Sequence, residues 1–120
     1  YFTYDDFTFD YYRSVYESGS SYFIKLLALN YRNSLGGMVS NYDAIPNIVS
    51  IEVSYSTETM GNKKPRLYYG ENNQLHDYRE LPITTTTIKS LIEFDETENI
   101  QFFRLESGDT NLILNYVTIQ

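Results

Sequence analysis

The stretch from Ile48 to Ser56, IVSIEVSYS, decides the fold class of this chain. Its large apolar residues occupy alternate positions, namely Val49, Ile51, Val53 and Tyr55, and serine or glutamate fills the positions between them. Successive side chains of a strand point to opposite faces of a sheet. The alternation therefore predicts a β-strand with one face on the core and the other face in water.

Short segments rich in aromatic and β-branched residues recur on both sides of this stretch, and such residues favour strands. The further predicted strands are Pro65–Gly70, Thr84–Phe94, Ile100–Leu105 and Leu112–Ile119. Tyr1–Phe9 is a candidate edge strand with a bend or bulge at Asp5-Asp6, and Tyr22–Leu29 is either a central strand or one or two turns of buried helix. Turn residues separate them about every ten positions, which is typical of a sandwich or barrel. The one candidate helix, Asp10–Glu17, begins with an Asp cap but has poor helix propensity. We expect all-β structure: a single antiparallel β-sandwich over residues 1–120, excised from or appended to a larger protein.

Composition narrows the possible functions. The chain has 120 residues, a net charge of −7, 13 Tyr, one His, and neither Cys nor Trp. The lack of cysteine excludes disulfides, thiol catalysis and cysteine-based metal sites. The acidic balance predicts no nucleic-acid partner, because phosphate binding depends on clustered basic residues. No apolar run approaches the about 20 residues of a membrane-spanning helix, so we expect no membrane insertion.

The sequence offers little for catalysis. His76 is the single candidate base, and no serine lies in a nucleophile-elbow pattern. Gly36-Gly37 is not followed by the glycines or lysine of a phosphate-binding loop. We therefore expect no catalytic residues and no enzyme activity.

A polar and aromatic stretch between residues 66 and 79 is the strongest candidate for ligand binding. Sugar rings present apolar faces ringed by hydroxyls, so their sites combine aromatic planes with hydrogen-bonding groups. If Leu67 and Tyr69 face the core, their neighbours on the strand face water. The candidate ligand-binding residues are Arg66, Tyr68, Asn72, Asn73, His76, Tyr78 and Arg79. The alternative is that tyrosine is simply the strand residue of this chain and that Asn72-Asn73 is an ordinary turn.

Two acidic clusters are candidate metal sites. One contains Asp95 and Glu96, and the other contains Asp5 and Asp6. Loop carboxylates are ligands for calcium, although neither cluster has the spacing of an EF-hand. Each cluster is either a solvated turn or a structural calcium site, and we expect no other cofactor.

Several stretches resemble the galactose-binding-like jelly-roll modules of secreted and surface proteins from Gram-positive bacteria and their relatives. They are Gly37–Asn41, Asn47–Tyr55, Pro65–Gly70, Ile92–Asp95, Ile100–Leu105 and Leu112–Ile119. The resemblance covers residues 37–120 and consists of a hydrophobic pattern with turns. It implies a jelly-roll sandwich that binds a ligand or acts as a spacer beside another domain. It transfers no site residue, because the binding loops of these modules vary widely.

The leading hypothesis is a non-catalytic carbohydrate-binding or adhesion-type module of a secreted or cell-surface protein. Its expected partners are a glycan or cell-wall polymer and a neighbouring domain of the same chain. The alternative is a structural spacer, or an assembly module that oligomerises through the aromatic N-terminal segment. The only basic cluster, Lys63-Lys64-Pro65-Arg66, is either a contact for anionic wall polymers or a solvated loop.

Overall fold

The computed structural model describes residues 2–4, 7–12, 14–15, 24–28 and 36–120, and their regular structure is β-strand apart from one 3₁₀ turn at Glu96–Glu98. The strands are β1 (Phe2–Tyr4), β2 (Phe7–Tyr12), β3 (Ser14–Val15), β4 (Ile24–Leu26), β5 (Met38–Asn41), β6 (Ser50–Thr57), β7 (Arg66–Gly70), β8 (Asp77–Glu80), β9 (Ile88–Glu93), β10 (Phe102–Glu106) and β11 (Leu112–Ile119).

The described strands form two antiparallel sheets. Sheet A has the order β1-β2-β5-β10-β7-β8, and sheet B has the order β3-β4-β11-β6-β9. Beyond β5 the chain passes repeatedly from one sheet to the other, so that β6, β9 and β11 lie in sheet B while β7, β8 and β10 lie in sheet A. The all-β antiparallel sandwich predicted from the sequence is confirmed.

A single apolar core lies between the two sheets. Sheet A contributes Leu67, Phe103 and Leu105, and sheet B contributes residues such as Ile51 and Leu112. Each of these five side chains is 1% exposed or less. Burial of such side chains is the main favourable contribution to folding, at roughly 1.5–3 kcal/mol for each one.

The alternation predicted for β6 is confirmed on its core face. Ile51, Val53 and Tyr55 are completely buried. The Tyr55 hydroxyl donates a hydrogen bond to the carbonyl oxygen of Pro82 at 2.5 Å, so its buried polar end has a partner. Burial raises the pKa of the Tyr55 phenol to about 12.

Two details of this prediction are wrong. Val49 is 49% exposed, because β6 begins only at Ser50. On the supposed wet face, Ser50 and Ser54 are buried. Ser54 pairs with Tyr116 on β11 and with Lys89 on β9, so a small side chain lies between two long ones in the middle of sheet B.

The strand predicted at Thr84–Phe94 is shorter in the structure and begins at Ile88. The Thr84 hydroxyl donates to the carbonyl oxygen of Thr86 at 2.8 Å and accepts from the Thr86 N–H at 3.2 Å. Such local bonds between side chain and backbone compete with strand pairing. Thr84 therefore forms a turn.

The candidate helix at Asp10–Glu17 is wrong wherever the structure describes it. Asp10 and the two tyrosines after it complete β2, which pairs with β5, and Ser14 and Val15 form β3. Positions 13, 16 and 17 lie outside the described residues. The aromatic residues are better accommodated on a pleated sheet than in a short helix of poor propensity.

One end of the sandwich is closed by the turn at 107–110, which packs against the loop at 61–64. The Asp109 carboxylate accepts hydrogen bonds from the backbone N–H groups of Asn62 and Lys63, at 2.9 and 3.0 Å. The Asn62 bond, supported by the one from Lys63, lowers the pKa of Asp109 below its usual value. A β-carbon added at Gly108 would overlap the carbonyl group of Lys63, so the two loops approach closely.

Candidate functional site

The outward face of sheet A carries a polar and aromatic group of side chains. Strand register pairs Tyr68 on β7 with Tyr78 on β8 and with Arg104 on β10. Residues paired directly across antiparallel strands lie on the same face. Leu67 and Leu105 alternate with these residues and are fully buried, so the paired side chains point away from the core.

Three charged residues of the neighbouring row complete the group. Arg66 on β7 pairs in register with Glu80 on β8 and with Glu106 on β10. We call the whole set the arginine–tyrosine cluster, defined as Arg66, Tyr68, Tyr78, Glu80, Arg104 and Glu106.

Each arginine of the cluster lies over a tyrosine ring. The Arg104 Cζ atom is 4.4 Å from the ring centroid of Tyr68, and the Arg66 Cζ atom is 4.4 Å from that of Tyr78. The two ring centroids are 5.2 Å apart, with their planes inclined by 46°. Each cation–π contact contributes about 0.5–1 kcal/mol at an exposed site and more where water is excluded. The rings and guanidinium groups therefore hold one another in place.

Arg66 also links the two tyrosines. Its Nη1 atom donates a hydrogen bond to the Tyr68 hydroxyl at 3.3 Å, while its guanidinium plane lies over Tyr78. The bond to Tyr68 raises the pKa of Arg66, so this guanidinium stays charged.

Each arginine also has a carboxylate at its edge. The Nε atom of Arg66 lies 4.0 Å from Oε2 of Glu80, and that of Arg104 lies 3.7 Å from Oε2 of Glu106. These separations bring charges together but are too long for hydrogen bonds. Both Nε atoms are buried and have no hydrogen-bond partner. The charges of the cluster thus cancel, and its two Nε donors are enclosed without a hydrogen bond.

The cluster is accessible to a ligand. Tyr78 is 41% exposed, and the side chains of Arg66 and Arg104 are each 30% exposed. Tyr68 is partly buried between them. A ligand can therefore reach part of the Tyr78 side chain and part of each arginine side chain from the solvent.

The structure brings together three of the seven residues predicted for ligand binding: Arg66, Tyr68 and Tyr78. It places Arg79 elsewhere, because Arg79 pairs in register with the buried Leu67 and so lies on the opposite face of β8. The Arg79 Nε atom donates a hydrogen bond to the Tyr69 hydroxyl at 3.4 Å. Arg79 thus belongs to the margin of the core.

The other predicted residues lie on the connection between β7 and β8. Asn72, Asn73 and His76 are all exposed there. The Asn72 side-chain oxygen accepts a hydrogen bond from the backbone N–H of Gln74 at 2.9 Å, which closes a local turn. This loop lies beside the cluster, and whether it contacts a ligand stays a prediction.

Arg104, Glu106 and Glu80 were not among the predicted site residues. The alternation around Arg104 indicates that it points outward, because Phe103 and Leu105 are apolar. No local pattern shows that β10 lies beside β7, since that pairing joins distant parts of the chain. For Glu80 a signal was available, because its position two residues after Tyr78 places it on the same face of a strand.

The predicted metal-binding residues have a local structural role where they are described. Oδ1 of Asp95 accepts hydrogen bonds from the Thr97 N–H and hydroxyl, each at 2.9 Å, and caps the 3₁₀ turn that contains Glu96. The bond from the Thr97 N–H lowers the pKa of Asp95. Asp5 and Asp6 lie outside the described residues.

Within the described ranges, no three His, Asp or Glu side chains converge so that they could hold a metal ion. Structural calcium stays a prediction. In the same part of the chain, no helix is long and apolar enough to cross a membrane.

Comparison with protein-family models gave no match, and searches of curated proteins and of solved structures found no similar protein.

Proposed function

We propose that this protein is a non-catalytic carbohydrate-binding module of a secreted or cell-surface protein, with the arginine–tyrosine cluster as its ligand site. The observation that carries the proposal is the stacked arrangement of Arg104, Tyr68, Tyr78 and Arg66 on a solvent-facing sheet. The two-sheet antiparallel sandwich is compatible with the galactose-binding-like class that the sequence resembles.

The chemistry of the cluster suits a sugar. Tyr78 offers a partly exposed ring against which the apolar face of a sugar can pack. Guanidinium and carboxylate groups beside the ring supply the donors and acceptors that sugar hydroxyls need. Because the side chains already hold one another in place, binding costs little additional side-chain entropy.

The test is a binding screen of the purified protein against a panel of glycans and cell-wall polymers. The informative variant is Tyr78→Ala, and its matched control is Tyr116→Ala. Tyr116 is 36% exposed and lies on β11 in sheet B, whereas the cluster lies on sheet A. We expect Tyr78→Ala to weaken binding by about tenfold or more, as truncation of a central aromatic contact does, and Tyr116→Ala to bind like the unaltered protein.

A blank across the panel, or equal affinity for the Tyr78→Ala variant, would contradict the proposal. The first result would favour the spacer or assembly alternative, and sedimentation would separate these two, because only an assembly module should show concentration-dependent oligomers. The screen should be run with calcium and with chelator. Loss of binding in chelator would support calcium as a cofactor and direct attention to Asp95 and Glu96.

A further inference from the structure

We infer that the ligand of the arginine–tyrosine cluster is a neutral glycan, bound as a single soluble chain and not as a crystalline or anionic polymer. This inference rests on the proposed function and specifies its ligand class. Three properties of the cluster support it: its cancelled charge, the edges at which its arginines are covered, and the tilt between its rings.

The formal charge of the cluster is zero. Each of the two guanidinium groups faces one carboxylate. The distance between Nε and Oε2 is 4.0 Å for Arg66 and Glu80 and 3.7 Å for Arg104 and Glu106. Asp10 lies in the same row of sheet A as Arg104, with Ser40 between them, and adds a negative charge. An anionic ligand would meet carboxylates wherever it met an arginine, in a chain whose net charge is −7.

The arginines are also poorly placed for anion recognition. Strong binding of a carboxylate or phosphate uses two parallel N–H groups of one guanidinium. The edge that contains Nε already faces a glutamate in both arginines, and both Nε atoms are buried. Sugar hydroxyls make weaker, single hydrogen bonds and do not need two parallel N–H groups of one guanidinium.

Two lysines precede β7 and are not members of the arginine–tyrosine cluster. Lys63 and Lys64 are exposed on the loop at 61–64. The carboxylate of Asp109 accepts a hydrogen bond from the Lys63 N–H and offsets one of these two positive charges.

The two rings do not form a flat platform. Their planes are inclined by 46°, and each ring already carries a guanidinium group. A crystalline polysaccharide presents a flat surface that requires coplanar aromatic contacts over several sugars. Tilted rings instead favour one sugar packed on Tyr78, with neighbouring sugars of a flexible chain reaching the polar groups.

The test compares neutral soluble polysaccharides, such as galactomannan and xyloglucan, with anionic polygalacturonate and with microcrystalline cellulose. Affinities are measured in NaCl between about 0.01 M and about 1 M, over which the screening length falls from about 30 Å to about 3 Å. We expect binding to a neutral soluble polymer, a change in Kd of less than about threefold across that range, and a loss of about tenfold or more in Tyr78→Ala.

Three results would overturn the inference, and they separate its failure from that of the proposed function. Binding to polygalacturonate that falls steeply with salt and is lost in Tyr78→Ala would retain the site but make its ligand anionic. Polygalacturonate binding that survives Tyr78→Ala and is lost in Lys63→Ala would move the site to the loop. Binding to none of the polymers in the full panel would contradict both proposals.

Discussion

The two faces of sheet A are formed by the same strands and have opposite properties. On β7 and β10 the inward residues Leu67, Phe103 and Leu105 are almost completely buried. The outward residues Tyr68 and Arg104 form a stacked, partly exposed pair. Because side chains alternate between the two faces of a strand, neighbouring residues have different roles. The inward side chains stabilise the sandwich, and the outward side chains are available to a ligand. Substitutions one residue apart should separate folding stability from binding.

The largest effect is expected on the inward face, at Phe103. This side chain is 1% exposed, and the Phe103→Ala substitution removes a buried ring and leaves a cavity. We expect the free energy of unfolding to fall by about 3–5 kcal/mol, measured by urea denaturation.

The matched control is Phe102→Ala, which removes the same ring from the outward face of the same strand. Phe102 is only partly buried. A smaller loss is expected there, because less apolar surface returns to water. If Phe103→Ala and Phe102→Ala lowered the free energy of unfolding equally, the inferred difference between the two faces would be wrong.

The second-largest effect on stability is expected at the end of the sandwich, where the turn at 107–110 packs against the loop at 61–64. In Gly108→Ala the new methyl group would overlap the backbone of Lys63, so the two loops must separate. We expect about 1–3 kcal/mol of destabilisation in thermal or urea unfolding. Gly70→Ala is the control, because its methyl group would lie 3.1 Å from the flexible end of Leu75 and at an ordinary contact distance of 3.6 Å from the Asn72 carbonyl oxygen. A Gly108→Ala protein as stable as the control would show that the loops are not in close contact.

On β8 the comparison can be made between adjacent residues. Tyr78→Ala removes a ring contact and a cation–π contact, and we expect it to cost about 1 kcal/mol of stability while weakening glycan binding. Arg79→Ala, on the opposite face, should leave binding unchanged. Loss of binding in Arg79→Ala without unfolding, seen in calorimetric titrations, would mean that the ligand site extends beyond the outward face.

The smallest effect is a pH dependence located at Asp109. Its pKa is lower in the folded chain than in the unfolded one, mainly because the Asn62 N–H stabilises the carboxylate. This contribution is present above the unfolded pKa of about 3.9 and is lost as the pH falls through the folded value. Asp109→Asn should therefore lose less stability than the unaltered protein on acidification below about pH 4, as measured by unfolding at several pH values. Identical acid sensitivity in both proteins would contradict this assignment.

Local patterns were sufficient to predict most of the strands from β6 onward and part of the site, although β8 was not among the predicted strands. Arg66, Tyr68 and Tyr78 belong to one hairpin, so short-range alternation could place them together. Arg104 could not be predicted in this way, because it joins them only through the long-range pairing of β10 with β7. Alternation along β8 places the adjacent residues Tyr78 and Arg79 on opposite faces of the strand. The prediction placed both in one site because it used the polar and aromatic composition of the whole stretch.

Alternation alone does not predict where a strand begins or which side chains of the neighbouring strands cover a residue. Val49 has the right residue type for the core but precedes the first residue of β6. Ser54 has the residue type of a wet face and is buried in the middle of sheet B. Both outcomes depend on which strands lie beside β6, and a single sequence does not contain that information.

The most direct test of the central claim is a map of NMR chemical-shift changes during titration with the neutral polysaccharide that binds best in the panel. The backbone amides of β7, β8 and β10 and the Nε–H signals of Arg66 and Arg104 should change most, while the signal of Arg79 stays in place. Changes confined to the loop at 61–64 or to sheet B, with the Arg66 and Arg104 signals unmoved, would contradict the assignment of the arginine–tyrosine cluster as the ligand site.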